Sequence, residues 1–182
     1  TLSQCYCSLA RLSDMSRKQK ILNAILVLAV IGGCLWYRYG QTSEADKIYH
    51  QLQALSAAVN KGNDEKTSQM AIKHARFAGL IDKRCEVSIS NYLADGHHSA
   101  SELASKVFLV RGALQTANIT IHDIGLEFIG PVTVRVEYTA RLTGQTQSGK
   151  TISENRDFQS RMIKREKEWR FASFIDYAMV TE

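Results

Sequence analysis

Proline is nearly missing from this chain, with Pro131 the only one in 182 residues, and cysteine is sparse at four. A disordered or low-complexity chain would be richer in proline and poorer in apolar residues than the 45% found here, so a packed domain is expected. Four scattered cysteines cannot form the disulfide framework of a small secreted scaffold. Cys5 and Cys7 precede an apolar run, Cys34 lies inside it, and Cys85 stands alone in the remainder. No His or Cys follows the C-x-C pair at ligand spacing, which argues against a metal site. Also lacking are a Gly-rich phosphate loop, a nucleophile elbow, a Ser/His/Asp order and any internal repeat. No cofactor is expected.

A basic surface is lacking too, despite a formal charge of +5. Residues 1–40 hold Arg11, Arg17, Lys18, Lys20 and Arg38 against Asp14 alone, which leaves 18 Lys/Arg against 17 Asp/Glu for the rest. The folded part is close to neutral, so no nucleic-acid partner is expected, because tracking phosphates needs clustered positive charge.

What the chain does have is an uncharged run from Ile21 to Tyr37, ILNAILVLAVIGGCLWY. It is apolar all round and just long enough for a helix to cross about 30 Å of hydrocarbon. Arg17, Lys18 and Lys20 precede it, and Trp36, Tyr37 and Tyr39 close it. This is the pattern of a single span with a cytoplasmic N-terminus and a periplasmic or extracellular C-terminal domain. Three fates fit the run: a retained anchor, a cleaved signal, or a lipoprotein signal in which Cys34 of Val30-Ile31-Gly32-Gly33-Cys34 is acylated. The division expected is 1–20 as a flexible basic N-terminus, 21–39 as a transmembrane or signal-anchor helix, and 40–182 as the domain. Met15 begins a typical membrane-protein start, and residues 1–14 show no pattern.

Within the domain, Ser43 caps a helix whose apolar stripe is Ile48, Leu52, Leu55 and Val59, and Gly62 stops it. A second helix runs over 64–81 with Met70, Phe77 and Ile81 as its apolar residues. His50 falls on the polar face of the first helix, and Lys73, His74 and Arg76 on that of the second. Cys85, Val87 and Ile89 alternate as a strand, and 91–98 reads as a loop. Ser99 and Glu102 form a capping box opening a third helix, with core face Leu103, Val107, Val110 and Leu114. From Asn118 the period becomes 2, with a phase slip at His122-Asp123 that predicts a β-bulge. Val132 to Leu142 is the clearest strand, followed by strands over 151–164 and 169–180, all joined as antiparallel hairpins. The class is α+β, three helices on one face of a curved antiparallel sheet.

The paired helices of 44–81, the capped helix from Ser99 and the ending Arg165-Glu166-Lys167-Glu168-Trp169-Arg170-Phe171 resemble the nuclear transport factor 2-like superfamily. That resemblance implies a cone-shaped domain with a pocket between sheet and helices, and a fold shared by enzymes, binding modules and assembly subunits. Pocket candidates are Glu154 and Arg156, which share a strand phase with Ile152, Phe158 and Met162, together with His122, Tyr138 and Tyr49. Tyr92 and Tyr177 are further liners, and Trp169 and Phe171 belong in the core. His97 and His98 read as a solvated loop. No residue is singled out as catalytic. The function expected is a membrane-tethered extracytoplasmic accessory or interaction domain, with a protein partner or a second copy. The alternative is a small-ligand pocket protein, or an isomerase/cyclase-like enzyme, whose cavity would take a small apolar molecule.

Overall fold

The computed structural model of the chain describes residues 43–89 and 95–176. The predicted span 21–39, Cys34, Tyr92 and Tyr177 lie outside the described residues. Within them, no helix is long and apolar enough to cross a membrane. Helices α1 (Glu44–Val59), α2 (Thr67–Leu80) and α3 (Ala100–Gly112) accompany strands β1 (Ile81–Ser88), β2 (Gly96–His98), β3 (Leu114–Gly130), β4 (Thr133–Thr146), β5 (Thr151–Arg165) and β6 (Glu168–Asp176).

The six strands form one sheet in the order β2-β1-β6-β5-β4-β3. From β3 to β6 each strand is antiparallel to the next, as hairpin connections require. The expected all-antiparallel sheet is corrected at one place: β1 runs parallel to β6, with Val87 opposite Phe174. The physical reason is topological. The last strand lies between β1 and β5, and β1 enters the sheet directly from α2, so the direction of that helix and not a hairpin sets its own. A second correction concerns 91–98, read as loop. Its end, Gly96–His98, pairs antiparallel with β1, placing His98 opposite Cys85.

Alternation decides which face is buried. Val134, Val136 and Tyr138 of β4 point under the helices and are at most 5% exposed, whereas Glu137 between them faces solvent. Ile48, Leu52 and Leu55 of α1, Phe77 of α2 and Leu103 of α3 close the core from above, with Met162, Trp169 and Phe171 from the sheet. Two stripe residues depart from expectation. Met70 is 42% exposed, because Phe77 and Leu80 are the buried residues of α2, and Val110 is 54% exposed, because it lies at the rim of the inward face of α3 where Leu103 and Ala104 are buried. Leu114 belongs to β3. The capping box of α3 is present, with Ser99 N donating to Glu102 Oε2 (2.8 Å) and Glu102 N to Ser99 Oγ (3.3 Å). Those bonds hold the Glu102 carboxyl below its usual range.

The phase slip in β3 is a bulge: the β3–β4 register shifts between His122 and Gly125, and Asp123 takes φ 53°. The β5–β6 turn is tighter still. Glu166 and Lys167 have φ 51° and 78°, the double positive φ of a type I′ turn, usually built from Asn-Gly. Replacing Glu166-Lys167 by Asn-Gly should therefore stabilise the domain by about 1 kcal/mol, read as a raised urea midpoint with unchanged slope.

Candidate functional site

Between the helices and the buried face of the sheet lies a cavity of about 520 Å³. Its floor is the inward phase of the long strands: Ile119 and Ile121 of β3, Tyr138, Ala140 and Leu142 of β4, and Phe158 of β5. Its roof comes from Leu55 and Val59 of α1, Phe77 of α2 and Leu103, Val107 and Val110 of α3. Leu109 and Val110 line it while being 78% and 54% exposed, so the cavity reaches the surface beside the C-terminal half of α3. The lining is almost wholly apolar because the period-2 residues of three strands converge on it.

Polar groups enter from two sides: Ser56, Lys106 and Arg111 on the helix side, and Glu154 and Arg156 on the sheet side. Arg156 Nε donates to Glu154 Oε1 at 2.6 Å, and Arg156 Nη1 to Asp176 Oδ2 at 2.8 Å. Glu154 and Arg156 thus share the cavity wall and hold each other there, with Asp176 buried behind them. Asp176 escaped the sequence reading; its only signal is alternation with Phe174 at the end of β6. Tyr138 also lines the cavity, and its hydroxyl sits 3.1 Å from Ser160 Oγ. Burial pushes the Tyr138 phenol far up, so it stays protonated and serves as a neutral hydrogen-bonding group.

The other two candidates stand apart. His122 and Asp123 do pair, Nδ1 to Oδ2 at 2.6 Å, but on the bulge, with His122 44% and Asp123 79% exposed, outside the cavity lining. Tyr49 faces solvent at the surface of α1, one residue after the core-facing Ile48. Cys85 is fully buried, and burial raises its thiol to about 12, which makes it a packing residue and not a nucleophile. Among the described residues, no cluster of three or more His, Cys, Asp or Glu could hold a metal ion.

On the helix side, a second polar cluster, whose Arg111 also lines the cavity, fixes the helices to the sheet. Arg111 is 3% exposed and donates through Nε to the Val59 carbonyl (2.7 Å), and through Nη2 to the Asn60 carbonyl (2.7 Å) and Glu65 Oε1 (2.6 Å). Lys73 reaches the same carboxylate at 2.8 Å. The Arg111 hydrogen bonds come first among the causes that hold the Glu65 carboxyl down at about 2. Lys61 and Ala117 exchange backbone hydrogen bonds (2.7 and 3.0 Å), stitching the α1–α2 connection onto β3. The Ser56 hydroxyl donates to the Ile119 carbonyl, capping the polar edge of the cavity wall.

Three helices over one face of a six-stranded mixed sheet, with a cavity between, make this a nuclear transport factor 2-like fold. The domain is similar to a protein described as a scytalone dehydratase from Novosphingobium aromaticivorans, at 13% identity and a TM-score of 0.59, over 73% of this chain and 82% of that one. It is also similar to one described as a calcium/calmodulin-dependent protein kinase II association domain from Xanthomonas campestris, at 12% identity and TM-score 0.57, over 74% and 87% of the two chains. A protein described as a dehydratase of the nuclear transport factor 2-like family, from Streptomyces avermitilis, matches at 10% identity and TM-score 0.57, over 73% and 94%. At such identities the likeness is one of fold. No family model matches the sequence, and no curated protein matches it.

Proposed function

We propose that this domain binds a small, mainly apolar molecule in the cavity between its helices and sheet. The carrying observation is the cavity itself: about 520 Å³ left unfilled by large side chains, in the range of roughly 300–1,000 Å³ typical of small-molecule sites. A domain serving only as a docking module gains nothing from leaving that volume open, because closing it with larger side chains would add packing contacts. The Glu154–Arg156 pair and the Tyr138 hydroxyl supply the few polar groups that orient a ligand. Two of the structural neighbours are described as dehydratases, a role that uses a pocket. The apolar run at 21–37 would hold this binding domain on the outer side of a cell membrane.

The test fills the cavity. Ala140 lies in the floor between Tyr138 and Leu142, and Ala140→Phe places a ring where the ligand would sit. With full-length protein in nanodiscs, titration with the neutral fluorophore N-phenyl-1-naphthylamine should show a saturable component in the wild type. That component should weaken at least about tenfold in the variant, while the unfolding midpoint holds or rises. Equal saturable binding by both proteins would refute the assignment.

A further inference from the structure

At the opposite end of the sheet from the cavity mouth, the β3–β4 hairpin presents Phe128, Ile129 and Val132, which are 49%, 56% and 50% exposed. Pro131 lies between them at the tip, also exposed. Phe128 packs in part on Trp169, but nothing in the fold calls for Ile129 and Val132 to stand exposed beside it, and such patches mark contacts.

Where the chain enters the domain identifies the contact. Glu44, the first residue of α1, accepts from Trp169 Nε1 at 2.9 Å and pairs with Lys164 Nζ at 2.7 Å. Lys164 N donates to the Val132 carbonyl at 2.8 Å, and the Phe128 ring packs edge-on against Trp169 with centroids 6.3 Å apart. The entry point and the apolar hairpin therefore share one end of the domain. The apolar run ends at Tyr37, and the seven Cα–Cα steps from there to Glu44, fully extended, span at most about 25 Å. If the run crosses the bilayer, this end cannot lie farther than that from the interface.

We propose that the hairpin tip at Phe128, Ile129 and Val132 inserts into the headgroup layer of the membrane that anchors the chain, giving the domain a second, non-covalent foothold there. Side chains of this kind bury about 5–10 Å into the headgroup boundary. The foothold directs the far end of β4, some 14 residues along, and with it the cavity mouth, away from the lipid. This inference rests on the anchor at 21–37 and is independent of what the cavity holds.

The test uses the intact chain in vesicles of phosphatidylcholine with one quarter phosphatidylglycerol, doped with a phosphatidylcholine bearing a diazirine near its glycerol backbone. After illumination and trypsin, adducts are located by mass spectrometry. The peptide 112–135 should carry adducts confined to 128–132, at least tenfold above those on peptide 142–150 from the far hairpin. The double variant Ile129→Asp, Val132→Asp, altered only at exposed positions, should lose at least fivefold of the adducts at Phe128 while keeping the wild-type circular dichroism. Adducts on the 21–37 run with none on 128–132 would overturn the foothold and leave the anchor standing. Adducts on neither would overturn both. Crosslinks between two copies at 128–132 without lipid adducts would replace the membrane with a homodimer and overturn the proposal.

Discussion

Arg111→Met should lower the stability of this domain by about 3 kcal/mol, a drop in melting temperature on the order of 10 °C. Arg111 is the hub of a buried network: its guanidinium satisfies two backbone carbonyls and the Glu65 carboxylate and stacks 5.0 Å above the Phe108 ring. Removing one partner of a buried ion pair typically costs about 3–5 kcal/mol, since the remaining charge stays desolvated. Lys73, still 2.8 Å from Glu65, holds the loss to the lower end. Removing both charges, as in Arg111→Met with Glu65→Leu, should cost less than the sum of the single changes, because no orphaned carboxylate remains. Acid makes the same point. The Glu65 carboxyl titrates at about 2 in the folded state against 4.5 for the ordinary group. The unfolded chain therefore binds the proton first as pH falls, and the stabilisation, complete above about pH 4.5, is lost between there and pH 2. Urea titrations at pH 6, 4 and 3 should show that decline in the wild type and a shallower one in Arg111→Met. Parallel curves would remove Glu65 from the account.

Gly144→Ala is the second large effect, again about 3 kcal/mol, at a position whose glycine serves neither a turn nor positive φ. Gly144 sits in mid-sheet between Ala117 of β3 and Ile152 of β5. A methyl group there would run into the carbonyl oxygen of Thr116 and come within 3.2 Å of its carbon and 3.3 Å of Ala117 Cα. These are backbone atoms, so no rotamer change relieves the clash, and overpacking costs of about 1–3 kcal/mol lie at their upper end here. The β3–β4 register shifts between Leu114 and Thr116, folding β3 over the glycine so that Ala117 can bond Lys61. The alanine should thus speed hydrogen exchange at the Ala117 amide well before it unfolds the domain. Unchanged exchange there would refute the clash.

The elements that sequence made legible are those governed by local chemistry. The stripe Ile48, Leu52, Leu55, the Ser99–Glu102 box and the alternation of β4 each follow from side-chain periodicity or a hydrogen bond spanning three residues. So does the bulge, because a slip of phase at His122-Asp123 can be accommodated only by an extra residue. The candidate site was legible in part for the same reason: alternation puts Glu154, Arg156 and Tyr138 on the cavity side. Tyr49 and His122 drop out because helix azimuth and bulge geometry, which decide where they point, depend on packing. Arg111, Glu65 and Asp176 were illegible, since each is buried by segments distant in the chain; Glu65 and Arg111 are 46 residues apart. The parallel pairing of β1 with β6 likewise leaves no trace in the residues of either strand.

That pairing has a kinetic consequence. Of the described strands, the one in mid-sheet is the last in chain order, and it enters between two that precede it. Until residues 168–176 are available, β1 lacks its parallel neighbour and Glu44 lacks Trp169, its partner 125 positions downstream. Nascent chains that end before Glu168 should leave the domain protease-sensitive throughout. Native protection should then arrive in a single step as the final strand is added, instead of growing with length.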